Sequence, residues 1–91
     1  MKHAGRDALD RIEPLLAEMR SRAALKEKSR GVFYRGSRAF LYFHEHGLEL
    51  YADIRLAGDF ERFPVTTAVE RKALLRQVDA ALADGSDATS R

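Results

Sequence analysis

Hydrophobic and polar residues alternate along the middle of the chain in the pattern of an antiparallel sheet. The clearest run is Leu48 to Leu56, in which every second residue is apolar and most of the residues between are charged. Successive side chains of a strand point to opposite faces, so this period of two predicts a strand with one buried face. Two similar runs begin at Val32 and Arg38, and together they predict a three-stranded meander.

Two glycines mark the predicted turns of the meander. Gly36-Ser37 has glycine first, as a type II′ turn prefers, and His46-Gly47 fits a second two-residue loop. Turn position sets the register of the strands. The expected opposite pairs are Val32 with Leu41, Phe33 with Phe40, Tyr34 with Ala39, Phe40 with Asp53, Tyr42 with Tyr51, Phe43 with Leu50, and Glu45 with Leu48.

This register sorts the strand residues onto two faces. The predicted core face holds Val32, Tyr34, Ala39, Leu41, Phe43, Leu48, Leu50, Ala52 and Ile54. The opposite face holds Phe33, Arg35, Arg38, Phe40, Tyr42, His44, Glu49, Tyr51, Asp53 and Arg55. A solvent face rarely carries so many rings, and a large uncovered apolar patch is unusual on a monomer. We therefore interpret the second face, apart from Glu49, as a candidate binding face.

Helical periodicity precedes the meander. Asp10 and Glu13 form a capping-box-like pair, which predicts a helix from Asp10 to about residue 22 with Pro14 in its first turn. An alternative start at Asp7 would place a kink at Pro14. The apolar residues of this segment recur at helical spacing and predict one buried stripe.

A second helix follows the meander. Thr67 and Glu70 form a capping box, which predicts a helix that ends near residue 84 with Gly85 as its C′ residue. Phe60 and Phe63 lie between the meander and this helix. Residues 59–63 form either a fourth strand or a loop, and the pattern does not decide between them.

The order helix, meander, helix predicts an α+β two-layer sandwich in which both helices cover one face of a three-stranded, or four-stranded, sheet. The 91 residues suit one domain spanning residues 1–91, with an ordered core of about residues 8–84 and loose tails at 1–6 and 86–91.

Composition narrows the range of functions. The chain has no cysteine, which excludes disulfides and thiolate sites and is compatible with a cytoplasmic location. No apolar run approaches the ~20 residues of a membrane span, so we expect no membrane partner. No serine follows a nucleophile-elbow pattern, and there is no P-loop. We predict a binding module with no catalytic residues and no cofactor, rather than an enzyme.

One short segment contains residues of the type that bind metals. His44, Glu45 and His46 are consecutive, and the predicted register makes His44 a cross-strand neighbour of Glu49. Imidazole with carboxylate is a donor set for zinc, iron or manganese. A surface His–Glu pair beside a turn explains the same pattern, so His44 and Glu49 are only a weak metal candidate.

Three explanations compete for the aromatic rings of the candidate binding face: a homodimer or protein contact, base stacking on the rings, or cover by Phe60, Phe63 or the N-terminal segment. Nucleic acid is a possible partner because residues 20–38 are biased in charge, although the whole chain carries only +2. A solvated helix end and loop is the favoured explanation of this basic stretch, and a phosphate-facing patch is the alternative. Its cations are Arg20, Arg22, Lys26, Lys28, Arg30, Arg35 and Arg38, against the single acid Glu27.

The segment from Phe33 to Leu41, followed by a hairpin into Leu48-Glu49-Leu50-Tyr51-Ala52, resembles the sheet of small bacterial MmcQ/YjbR-like proteins. The resemblance covers about residues 10–84 in the order of elements. It implies a compact α+β domain with a frataxin-like arrangement, and it carries that family's DNA-binding label. It implies no catalytic residues. The chain differs in lacking an evident second pair of strands after Leu56.

Overall fold

The computed structural model describes residues 2–84, which form a six-stranded antiparallel sheet and three α-helices. The elements are β1 (Lys2–His3), α1 (Arg6–Arg11), α2 (Glu13–Arg20), β2 (Lys26–Ser29), β3 (Val32–Arg35), β4 (Arg38–His46), β5 (Glu49–Leu56), β6 (Asp59–Pro64) and α3 (Ala68–Asp84). The α+β class is confirmed, but the sheet has more strands than the predicted three or four. The predicted Gly85 cap and the tail 86–91 lie outside the described residues.

The long strand β4 organises the sheet. The strand order is β2-β3-β4-β5-β6, and β1 pairs with the end of β4 that β3 leaves free. His3 lies opposite His44, and the Gly5 N–H donates to the Glu45 carboxylate at 2.6 Å. The prediction of a loose tail over residues 1–6 is therefore wrong for residues 2–6.

The hairpin between β4 and β5 turns at Gly47-Leu48, one residue later than predicted. Phe43 consequently lies opposite Ala52 instead of Leu50. This changes the register by two residues, and because side chains alternate with a period of two, the predicted faces of β4 and β5 are preserved. One exception is Leu48, which was assigned to the core but is 80% exposed at the tip of the turn. The other is Phe40 of β4, which was assigned to the opposite face but is buried.

A β-bulge makes the observed register of β3 and β4 differ from the predicted one. Tyr34 lies opposite Ala39, as predicted, but Phe33 lies opposite Leu41 and Val32 opposite Tyr42. The extra residue in β4 is Phe40, and a bulge re-aims the side chains around it. Phe33 and Phe40 are both buried in the core, so placing them on the binding face was wrong. Val32 and Tyr34 are only half-buried instead of belonging to the core.

The N-terminal helical segment is two helices joined at Ile12. Ile12 leaves helical geometry with φ −114° and ψ 23°, and Pro14 stands in the first turn of α2. Proline cannot continue a helix that began before it, because it lacks an N–H and its ring crowds the carbonyl four residues earlier. The segment begins at Arg6 after Gly5, so the prediction that Asp10 caps the helix is wrong. The alternative start at Asp7 with a kink at Pro14 is closer, although the interruption lies at Ile12.

The capping box of α3 is confirmed. The Thr67 N–H donates to Glu70 Oε1 at 2.9 Å, and the Glu70 N–H donates to Thr67 Oγ1 at 3.2 Å. These two bonds satisfy backbone donors that the first turn of a helix otherwise leaves unpaired.

The helices pack on one face of the sheet. Buried residues of the helices and of β3, β4 and β5 form a single hydrophobic cluster, which includes Ile12, Leu16 and Met19 from α2 and its N-terminus, Leu74 and Val78 from α3, and Leu41, Leu50 and Ile54 from the sheet. Within residues 2–84, none of the helices has the length and apolar character required to cross a membrane.

Candidate interaction face

The sheet face opposite the helices carries the candidate site, which we call the open face. Strand register places its residues side by side on β1, β4, β5 and β6. They are His3, Tyr42, His44, Tyr51, Asp53, Arg55, Phe60 and Arg62.

Asp53 lies at the centre of the open face and is only 6% exposed. Arg62, opposite it on β6, donates from Nε to Oδ1 at 2.8 Å and from its terminal nitrogen to Oδ2 at 3.0 Å. His44 Nε2 lies 3.0 Å from the same Oδ2, so the imidazole donates there when Nε2 carries a proton. The carboxylate thus has three hydrogen-bond donors, which a buried charge requires.

These contacts set the protonation of Asp53. Burial by itself raises the pKa of the Asp53 carboxyl. Hydrogen bonding and charge from Arg62, with a smaller contribution from His44, lower the pKa by more than burial raises it. The net effect is a pKa below the ordinary value of an aspartate. Asp53 is therefore an anion at neutral pH, and it has a structural partner on each side.

Aromatic rings surround this ion pair. The Tyr42 ring lies 5.5 Å from His3, 5.2 Å from His44 and 5.1 Å from Phe60, measured between ring centroids. Arg55 stacks on Phe60, with its guanidinium carbon 4.4 Å from the ring centroid. Rings at these separations stabilise one another beyond the area that they bury.

Other parts of the chain cover the candidate binding face in part, which was the third explanation for its aromatic rings. Phe60 and His3 do contact Tyr42, as expected if β6 and the N-terminal segment cover this face. Phe63 lies opposite Ala52 and packs against the hydrophobic core instead. The cover is incomplete, because Tyr42, Tyr51 and Phe60 remain half-exposed.

Several predicted site residues lie elsewhere. Phe33 and Phe40 are in the core, and Arg35 reaches the helix layer, where it donates to the Ala81 carbonyl at 3.2 Å. Arg38 is exposed at the end of the sheet. Of the nine residues predicted to form the binding face, the open face retains Tyr42, His44, Tyr51, Asp53 and Arg55.

The predicted pairing of His44 with Glu49 does not occur. His44 lies opposite Tyr51, and Glu49 lies opposite His46 and accepts a hydrogen bond from the Tyr51 hydroxyl at 2.6 Å. That bond to a carboxylate raises the pKa of Tyr51. Among the side chains of residues 2–83 there is no group of three or more metal ligands placed to hold an ion.

Sequence reasoning did not single out His3 or Arg62 for this face, and it named Phe60 only as one candidate to cover it. The turn Ala57-Gly58 joins β5 to β6, and the alternation of Phe60 and Arg62 beyond it was the available signal for two of them. His3 carries no such signal, since β1 is two residues long and is placed only by its pairing with β4.

Ion pairs neutralise part of the basic stretch. Arg20 binds Glu13 and Glu27, Arg22 binds Glu18 and Asp79, and Arg30 binds Asp10 and Glu13, all at 2.5 to 3.0 Å. These bonds lower the pKa of Glu13 and Glu27 and raise that of Arg20. Three of the seven cations are thus occupied by carboxylates of the chain itself.

Comparison of the chain with models of known protein families, with curated proteins and with solved structures finds no match. The geometry of the open face is therefore the basis for assigning a function.

Proposed function

We propose that the protein is a small interaction module, without catalytic activity, that forms a symmetric homodimer through its open face. The observation that carries the proposal is the composition of that face. Its exposed or half-exposed members are aromatic rings, histidine and arginine, and its buried acid, Asp53, is already paired with Arg62. Protein interfaces are enriched in aromatic residues and arginine and depleted in lysine and aspartate.

The layout of the sheet supports the same proposal. The helices cover one face of the sheet, while the open face has Tyr42, Tyr51 and Phe60 half-exposed over a paired charge. A second copy would meet a surface with no unpaired buried charge, which limits the desolvation cost of association. Two-fold dimers are the commonest oligomers, because one self-complementary patch suffices to form them.

The rival function is nucleic-acid binding, with bases stacked on Tyr42 and Tyr51 and phosphates held by arginine. The half-exposed Tyr42 and Tyr51, with Arg55 on the same sheet face, favour it. The ion pairs of Arg20, Arg22 and Arg30 and the burial of Phe33 and Phe40 disfavour it, because they remove cations and rings that this function would use. A relationship to MmcQ/YjbR-like proteins stays a prediction, supported by the order of helix, sheet and helix.

Sedimentation velocity over a range of protein concentrations tests the dimer. We expect the wild type to shift from monomer to dimer with concentration. Tyr51→Lys should abolish this shift, since a lysine there remains solvated next to Glu49 in the monomer but would be desolvated in the interface. Tyr42→Glu should have the same effect, with circular dichroism to verify that each variant folds.

Val69→Glu is the matched control. It too replaces an apolar side chain by a charged one, but Val69 lies on the helix layer, where it is 75% exposed. It should leave the association unchanged. A wild type that stays monomeric at several hundred micromolar, or a dimer that dissociates on Val69→Glu and persists with Tyr51→Lys, would contradict the proposal.

Fluorescence anisotropy with labelled single-stranded and duplex DNA, at low and high salt, tests the rival function of nucleic-acid binding. Binding that weakens steeply with salt would favour it.

A further inference from the structure

A cavity of about 200 Å³ opens at the end of the sheet where the β3–β4 and β5–β6 turns lie side by side. It is distinct from the cluster around Asp53 and His44. Three arginines line it, together with Phe40 and the turn that follows β5: Arg35, Arg38, Arg55, Phe40, Ala57 and Gly58.

Two of these arginines are held in place by neutral acceptors. Arg55 donates from Nε to the Ala39 carbonyl at 2.8 Å and from a terminal nitrogen to the Gly58 carbonyl at 3.1 Å. Arg35 donates to the Ala81 carbonyl at 3.2 Å. Backbone carbonyls fix the orientation of a guanidinium without neutralising its charge, so each keeps unused donors.

Within residues 2–83, no carboxylate balances the charges of the three arginines. Among the carboxylates of residues 2–83, none lies within 4 Å of the guanidinium nitrogens of Arg35, Arg38 or Arg55. Arg20, Arg22, Arg30 and Arg62, by contrast, each bind at least one carboxylate. Three like charges around one concavity repel each other, and a bound anion would relieve that repulsion.

We propose that this cavity binds the phosphate group of a small phosphate monoester. Guanidinium groups match phosphate oxygens with pairs of parallel hydrogen bonds, and three positive charges suit a dianion better than a single carboxylate. The volume lies below the roughly 300–1,000 Å³ of sites that enclose a drug-sized ligand. The cavity therefore accommodates the phosphate, and the remainder of the ligand extends into solvent. This site does not depend on the proposed dimer.

The test is a proton–nitrogen NMR titration of the full chain with inorganic phosphate and with glycerol phosphate at pH 7.5. Sodium chloride at matched ionic strength provides the reference. We expect saturable shifts at the amides of Ala39 and Gly58 and at the Arg55 side-chain N–H. Arg38→Gln should weaken binding by about tenfold or more, as expected for loss of a charge-assisted hydrogen bond. Arg38 is exposed, so the variant should fold normally.

Arg76→Gln is the control, because it removes an exposed arginine from α3 that lies outside the cavity. It should leave the affinity unchanged. Shifts that match those of chloride, or equal affinity for the wild type and Arg38→Gln, would overturn the proposal. A single-stranded oligonucleotide serves as the second arm. Tighter binding of the oligonucleotide at the same amides would assign the site to a polymeric diester and reject the small monoester.

Discussion

Asp53 and Arg62 form a two-bond ion pair across β5 and β6, in which the carboxylate is buried and the Arg62 side chain is 46% exposed. The two partners are therefore not equivalent. Arg62→Gln leaves a buried carboxylate with His44 as its remaining side-chain donor, whereas Asp53→Asn leaves an arginine that water can solvate. We expect Arg62→Gln to lower the free energy of unfolding by about 1–3 kcal/mol, and Asp53→Asn to lower it less. Urea denaturation at pH 7 measures both, and a larger loss for Asp53→Asn would contradict this explanation.

The same pair predicts a contribution of Asp53 to acid sensitivity. Because the pKa of Asp53 is lowered in the folded chain, its stabilising contribution is complete above the unfolded value, about 3.9, and is lost as the pH falls through the lower folded value. Glu13 and Glu27 have lowered pKa values and act in the same direction. Between pH 6 and pH 3, Asp53→Asn should therefore lose less stability than the wild type. Equal losses in the two proteins would show that Asp53 does not contribute.

Gly31 contacts Leu9 where the β2–β3 turn meets α1. A Cβ on Gly31 would lie 2.8 Å from Leu9 Cδ2, and Gly31 also has a positive φ of 81°. Gly36→Ala is a matched control, since Gly36 has φ 62° with no atom within 4 Å of the added Cβ. Both substitutions strain the backbone by about 1–2 kcal/mol. Gly31→Ala should cost measurably more, because it also displaces a buried leucine.

A double-mutant cycle isolates that contact. In a Leu9→Ala background, Gly31→Ala should cost about as much as Gly36→Ala does in the wild type, because the obstructing methyl group is gone. Thermal and urea unfolding of the four proteins measure the coupling. A cost for Gly31→Ala that does not change in the Leu9→Ala background would exclude the contact as its cause.

Ala57 has φ 50° in the two-residue turn between β5 and β6, and it is the only non-glycine residue of the described chain with positive φ. Gly58 follows with φ 94°, so both turn positions are left-handed, as in a type I′ turn. Asn-Gly is the preferred sequence there, and Ala57→Asn should stabilise the protein by about 0.5–1 kcal/mol. Ala57→Val, with a branched side chain at the same φ, should destabilise it. A higher melting temperature for the valine variant would refute this assignment.

The capping box predicts the behaviour of Thr67. Thr67→Ala removes the acceptor for the Glu70 N–H and should cost about 1 kcal/mol, whereas Thr67→Ser retains the hydroxyl and should cost much less. Chemical denaturation with circular dichroism at 222 nm measures both. Equal stabilities for the alanine and serine variants would mean that the hydroxyl does not stabilise α3.

Local sequence patterns predicted a structural feature correctly where the physical cause of that feature is local. Thr67 and Glu70 are three residues apart and form their capping box within one helical turn. Apart from Phe40, the faces of β4 and β5 follow from alternation, and they survived an error in the turn because the register changed by an even number of residues. Both features depend on neighbours along the chain.

Contacts between distant parts of the chain decided the rest. The bulge at Phe40 turned both Phe33 and Phe40 into the core, because burying two large rings against the helices outweighs regular pairing of a short strand. β1 exists only through its pairing with β4, and Arg20, Arg22 and Arg30 are neutralised by acids up to 57 residues away.

The sequence by itself thus determined the α+β class, the start of α3 and the two faces of the central hairpin. The tertiary structure alone determined which rings remain accessible, that Asp53 lies between His44 and Arg62, and that three arginines share one cavity. The reason is physical: periodicity and capping act over one turn or one pleat, whereas burial and charge pairing depend on which distant residues the packed chain brings together.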